Sequence, residues 1–593
     1  MKRRLRLTGL VLACLFLFCA ETLAKETWLR VKTSNFILIS NASENDVRKV
    51  GIKLEQFRAA ISIIFPKTKL ETPTPTTVVL FRTDDAFRPF KPQLKGKPQE
   101  NVGGYFLAGP HTNYFALAAE DRGLSSYEIV FHEYEHYILH NNLLRIPVWL
   151  DEGLAEFYSS FETSDKDQKA TLGVPIGRHV FYLRAHTILP LKTLLTVDHK
   201  SPYYSESSKA GTFYAESWAL VHYLMIGNQG KRQQQLKEFI KLLNTDLPPE
   251  QMFQQAFQTD LKTIEDELRP YLNRATYPVL TVTLPQRLSV EAGQTSTLSD
   301  AEIQYYLGDL LWHLGRMEDA EARLKKSISL EPGFAPSLVS LGIIRLRQQK
   351  TDEAKDLFRS GIESDPKNYL AHYYYAGRLR AEKHFEEAIE SYKQALLLKP
   401  DASLTLTSLG YAYLQSGKDD DAIQTFTRGL RVNPREDYFY RSLANIFLQR
   451  RMGQTAVNHA VGYLILKGWR EDYSAYMALV KYFGLRQAER RDEAAKALDE
   501  AGDKLDNTAW PYPVIQYLKH RLTLQQLIAL ADNQDKLTEA HAYTGLELSL
   551  NGDRAAALEH LRWVKENGNK AFVEFPLALA EIARLEAAPA QAP

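Results

Sequence analysis

The sequence predicts an α+β domain over roughly the first 275 residues, followed by an all-α solenoid of stacked helix pairs. Two observations carry this prediction. Runs rich in β-branched and aromatic residues alternate with helically spaced apolar residues as far as residue 118. Beyond residue 300, four separate columns of residues recur every 34 positions. A third observation, two histidines four apart inside a helical stretch, makes the first domain the place to look for chemistry. At 593 residues the chain is long enough for about four domain-sized units. Hydrophobic residues at 45% and charged residues at 24% are ordinary globular composition. A formal net charge of +1 lacks the basic excess of a general nucleic-acid binder, so no nucleic-acid partner is expected.

The chain opens with the basic stretch MKRRLR, an apolar run from Leu7 to Ala20 and a small residue at Ala24. This is the layout of a secretory signal peptide over 1–24, and the run is short for a membrane span. Cleavage after Ala24 would leave a periplasmic or secreted protein. Lipidation at Cys14 and an uncleaved anchor are the alternatives. Cys14 and Cys19 are the only cysteines, so the cleaved chain would carry no thiol. No later segment reaches ~18 uninterrupted apolar residues, so no stable span is expected after cleavage.

Within 25–275, Phe36 to Ser40 and Thr77 to Phe81 read as strands. Between them Val47, Val50, Leu54, Phe57, Ile61 and Ile64 keep helical spacing over 43–65, and Pro66, Pro73 and Pro75 mark a loop. Tyr105 to Ala108 and Asn113 to Ala118 read as a strand pair around Gly109 and Pro110. From about residue 124 the pattern is helical to about 274. Residues 276–300 hold two prolines and no helical period, so they read as a linker crossed by few contacts. On that reading, residues 25–275 would work alone on a small peptide.

The repeat columns are Pro332, Pro366, Pro400 and Pro434; Ala320, Ala354, Ala388 and Ala422; Leu324, Phe358, Tyr392 and Phe426; and Ser327, Gly361, Ala395 and Gly429. Small residues let two helices approach, the larger ones fill the gap, and proline stops the second helix. These columns resemble the tetratricopeptide repeat, down to Leu307-Gly308, Leu341-Gly342 and Leu409-Gly410. The expected division is repeats over 301–468, worn helical repeats over 469–585 and a disordered tail at 586–593. The resemblance implies protein partners held in the groove of the array.

His132-Glu133-Tyr134-Glu135-His136 lies in the stretch SYEIVFHEYEHYIL. Histidines at i and i+4 share one helix face and can bind one zinc ion, with an adjacent glutamate over the metal as general base. The motif satisfies both H-E-x-x-H and its inverse, so Glu133 or Glu135 could be that base. Leu139 and Asn142 stand where the long metzincin pattern needs glycine and histidine. His140 continues the i+4 series but would point past a tetrahedral ion. A proline turn at Pro147 then returns the chain as Trp149-Leu150-Asp151-Glu152-Gly153-Leu154-Ala155-Glu156, which puts Glu152 opposite the histidines. Glu156, one turn on, can hold a ligating histidine by its other ring nitrogen.

These residues resemble the gluzincin metallopeptidases: H-E-x-x-H followed by W-L-x-E-G-x-A is their aminopeptidase-type form. The resemblance implies one Zn²⁺ held by His132, His136 and Glu152, with Glu133 as the base acting on a peptide or protein substrate. It also implies a helix-borne tyrosine some sixty residues past the ligand glutamate that stabilises the oxyanion. Tyr214 fits, with Tyr203 and Tyr204 as rivals. Glu216-Ser217 stands where that family has lysine and glycine. Asn113 to Leu117 occupies the place of its edge strand. No G-x-M-E-N segment is present, which favours endopeptidase or oligopeptidase action over aminopeptidase action. The alternative is a catalytically silent peptidase-like scaffold that only binds. Structural zinc is disfavoured, because it usually takes four protein ligands and often cysteine.

Overall fold

The computed structural model describes residues 26–587, leaving out 67–69, 71–73, 101, 120–125, 144–145, 165–167, 206, 244, 246, 248, 285–294 and 470. The signal-peptide reading, both cysteines and the tail from 588 lie outside the described residues. No helix among them is long and apolar enough to cross a membrane. Leaving aside 244–246, the chain divides into two compact units, one reaching to Ile344 and the other starting at Arg345.

The first unit is built on a six-stranded sheet. Strands β1 (Leu29–Lys32) and β2 (Phe36–Ser40) pair antiparallel. Helix α1 (Glu44–Ile64) follows, with Ser43 accepting from the Asp46 N–H as its cap, as a short polar side chain does at a helix start. It returns the chain to β3 (Thr76–Phe81), parallel to β2. β3 is buried along its whole length, which suits its unbroken run of apolar and β-branched residues. Beyond it, β4 (Gly104–Leu107) and β5 (Asn113–Ala118) form a hairpin. β5 pairs parallel with β3, so the sheet edge is β4, and Asn113 to Leu117 is an interior strand instead of the edge read from the sequence.

Helices α2 (Ser126–Asn142) and α3 (Val148–Ser159) come next. The stretch after them is not continuously helical as expected: β6 (Glu162–Ser164) and β7 (Lys169–Leu172) form a hairpin. Helices α4 (Gly177–Ala185) and α5 (Ser207–Ile226) follow, and α5 packs against α3.

The 276–300 stretch, read as a linker, supplies two strands. β8 (Leu280–Thr283) extends the β6–β7 hairpin antiparallel to β7. β9 (Thr295–Thr297) is the outer strand of the main sheet, antiparallel to β1. Short strands of this kind show no helical period and so look like linker locally, and only their distant partners reveal them. The first helix pair, α6 (Asp300–His313) and α7 (Met317–Leu330), therefore belongs to this unit. Tyr114 donates its hydroxyl to Asp309 at 2.6 Å, the Tyr114 ring lies 4.9 Å from that of His313, and Arg30 pairs with Glu302 at 2.6 Å.

Among its described residues the second unit carries helices and no strand. Its pairs include Tyr369–Ala381 with Phe385–Leu398, Ser403–Gln415 with Asp419–Val432, and Asp437–Gln449 with Gly453–Lys467. The repeat columns are its core: Ala388, Ala422, Phe358, Phe426 and Ala395 are fully buried. A side chain at Gly410 would collide with the Phe426 ring, and one at Gly429 with Phe439, which is why those columns stay small. The helices continue through the worn copies to Glu574–Ala587, so residues 586–587 are helical.

Candidate metal centre

The centre lies between α2 and α3. One face of α2 is anchored in the core through Phe131, Tyr134 and Ile138, all buried. Phe131 stacks on Phe57 at 4.5 Å, and the Tyr134 hydroxyl meets Arg58. The residues a turn apart on another face, His132 and His136, are thereby held toward α3. α3 is buried along its whole length. At Gly153 a Cβ would stand 2.5 Å from the Ser217 carbonyl oxygen and 2.6 Å from Val221 Cγ2 on α5. Glycine there lets the helix carrying Glu152 sit against α5. Gly153→Ala is expected to cost ~1–3 kcal/mol of stability through overpacking, read as a lowered thermal unfolding midpoint. An unchanged midpoint would show that the two helices can part freely.

The donor atoms form a compact triangle. His132 Nε2 and His136 Nε2 are 3.2 Å apart, and each lies 3.5 Å from Glu152 Oε2. Ligands of one tetrahedral zinc, with bonds of about 2.0–2.1 Å, sit about 3.3 Å from one another. Glu152 Oε2 is buried and has no hydrogen-bond partner, whereas its Oε1 accepts from the Tyr204 hydroxyl at 3.1 Å. A buried carboxylate oxygen left without a donor fits a site for a cation. The donor set of two imidazoles and one carboxylate suits zinc. Burial opposes the charge on Glu152, yet the two imidazoles hold its carboxyl down to about 2. Burial likewise opposes charge on His136, but Asp151 and Glu152 raise it to about 11.

Around the triangle the structure adds residues that motif reading passed over. Asp151 Oδ1 lies 2.9 Å from His136 Nδ1, so the other ring nitrogen of His136 is turned to the triangle. Glu156, expected to hold a histidine, lies 3.9 Å from His132 Nδ1 and closer to His179, at 3.1 Å, and Arg178, at 3.2 Å. Asp151 is thus the nearer support. Its acidic neighbour in the same helical turn was visible in the sequence, but which of three carboxylates faces which ring depends on the rotation of α3. Partners of this kind are worth ~10–100-fold in metal affinity. Asp151→Asn is expected to weaken zinc retention by about that factor, and Glu156→Gln by less; competition with a zinc-binding dye measures both. Equal losses would put Glu156 on His132 as closely as Asp151 is on His136.

The two glutamates of the motif have different surroundings. Residues adjacent to a ligand lie about 100° round the helix from it, so Glu133 and Glu135 diverge. Glu135 is 2% exposed, with one oxygen unpartnered, and burial pushes its carboxyl well above the usual range. Glu133 is only half-buried. Tyr204 reaches Glu152 directly, and Tyr214 lies beside it with ring centroids 6.2 Å apart. Burial, with the nearby Glu152 charge, raises the phenol of Tyr214 above its ordinary value. Tyr203 is half-buried.

Residues 127–249, which contain the whole centre, match a family described as a protein of unknown function (DUF1570). Residues 290–333, 339–404 and 379–446 match tetratricopeptide-repeat families. The type IV pilus assembly protein PilF of Pseudomonas aeruginosa is 28% identical over 154 residues, 26% of this chain and 60% of that protein. Human tetratricopeptide repeat protein 6 is 25% identical over 24% of this chain and 27% of its own length. The photosystem I assembly protein Ycf3 of Prochlorococcus marinus is 32% identical over 15% of this chain and 52% of its own. The chain thus spans at most 60% of the length of these relatives. Among solved structures, one of Pseudomonas aeruginosa PilF has a TM-score of 0.32 at 22% identity, covering 38% of this chain and 98% of that one. Tetratricopeptide repeats are present.

Proposed function

We propose that the first unit is a zinc-dependent peptidase domain of the gluzincin type, acting as an endopeptidase or oligopeptidase in the periplasm or outside the cell. The repeats would bring it protein partners or substrates. The observation that supports this most is the donor triangle of His132, His136 and Glu152, with its unpartnered carboxylate oxygen. Zinc bound there would supply Lewis acidity to a water molecule and a peptide carbonyl. Glu133 would take the proton of the attacking water and deliver it to the leaving amine. Tyr214, or Tyr204 beside it, would donate a hydrogen bond to the carbonyl oxygen as charge develops there. The outer strand β4 packs near α2 and offers backbone groups to an extended peptide.

The test is metal analysis of the purified full-length protein with hydrolysis of an unfolded protein substrate. One tightly held zinc per chain is expected, with that tight zinc lost in His132→Ala or Glu152→Ala, and hydrolysis lost to a chelator and restored by zinc. Full zinc content in a His132→Ala, His136→Ala double variant would sink the assignment. A catalytically silent scaffold is the second reading. The comparisons favour it, because the three relatives above carry names of assembly or repeat proteins and the family matching the centre has no stated activity. A folded chain that holds zinc and cleaves nothing would establish that reading.

A further inference from the structure

His140 takes no part in the triangle. It stands one turn beyond His136 with its side chain 58% exposed, and its Nε2 lies 2.8 Å from Asp151 Oδ2. The other oxygen of Asp151 faces His136 Nδ1. Donor atoms of His136, His140 and Asp151 all lie within 4.8 Å of one another. Neutral His136 cannot serve this group and the triangle at once, since it has one lone-pair nitrogen and that nitrogen is turned inward.

We propose a second, outer cation site built on His140 Nε2 and Asp151 Oδ2, with water completing the coordination. An imidazole and a carboxylate select a borderline divalent metal such as zinc over calcium or magnesium, which prefer all-oxygen ligands. The two donors need to open from 2.8 Å to about 3.3 Å to share a tetrahedral ion. A small rotation of the half-exposed His140 ring supplies that opening. With two protein ligands against three, the outer site is the weaker of the pair. The sites are coupled through Asp151. An outer ion on Oδ2 withdraws charge from the carboxylate and weakens the contact of Oδ1 with His136 Nδ1, and such a contact is worth ~10–100-fold to the inner ion. By reciprocity, the inner ion weakens the outer one by the same factor. Excess zinc therefore acts against the inner site from outside it.

The experiment is a titration of metal-stripped full-length protein with Zn²⁺ alone, followed by equilibrium dialysis. Wild type is expected to bind one tight and one weaker equivalent. His140→Ala should keep the tight equivalent and lose the weaker one, with unchanged circular dichroism because the ring is largely exposed. His132→Ala should lose the tight equivalent and keep the weaker. A single equivalent in both wild type and His140→Ala would overturn the proposal, as would a weaker equivalent that survives His140→Ala. If His132→Ala keeps both equivalents while His140→Ala loses the weaker, the outer site stands and the inner assignment fails.

Discussion

Replacing Glu133 by glutamine is expected to leave one zinc per chain and to cut hydrolysis of an unfolded protein by roughly 10²–10⁴-fold, the range a positioned proton-transfer group supplies. The amide keeps the size of the side chain but cannot take a proton from the attacking water. Glu135→Gln is expected to leave both zinc and rate nearly unchanged. Burial already favours the neutral form of Glu135, and glutamine is a neutral group of the same shape. Turnover with zinc content on the same preparations checks both variants. Should Glu135→Gln abolish hydrolysis while Glu133→Gln retains it, the inverted motif would be the correct one.

Ending the chain near residue 285 is expected to yield insoluble or unfolded protein, whereas ending it near residue 350, past the helix that reaches Arg347, should yield a folded first unit. The shorter product lacks the outer strand β9, the Arg30–Glu302 pair and the Asp309 carboxylate that receives the Tyr114 hydroxyl. It also uncovers Tyr114, which is 1% exposed, and the Phe90 ring beneath Arg323 at 5.2 Å. Uncovering each large apolar side chain costs ~1.5–3 kcal/mol, against a total stability of ~5–15 kcal/mol for a typical domain. Gel filtration and thermal unfolding of the two products decide the matter. A monomeric 26–285 fragment melting within a few degrees of the longer one would restore the linker reading. The same result bears on catalysis, because peptide hydrolysis by the longer fragment alone would separate the chemistry from the remaining repeats.

Some parts of this protein are determined by the sequence alone because their partners are near in the chain. A helix pair packs within one 34-residue period, so Ala388, Ala422 and Phe426 announce their burial by recurrence. His132 and His136 share a face by helix geometry, and a short return brings Glu152 to within 3.5 Å of both. Only the tertiary structure decided the rest. Thr295–Thr297 closes a sheet whose next strand lies more than 260 positions earlier, and backbone pairing leaves no residue signature that far away. Leu280–Thr283 joins the hairpin strand Lys169–Leu172, which lies more than 100 positions earlier. The choice of Asp151 over Glu156 as the close histidine partner, and of Tyr204 against Glu152, turns on how α3 is rotated about its axis. That rotation is set where Gly153 meets Ser217 and Val221 on α5. Residue spacing names the donors on a helix, but packing against distant elements determines which atom each one meets.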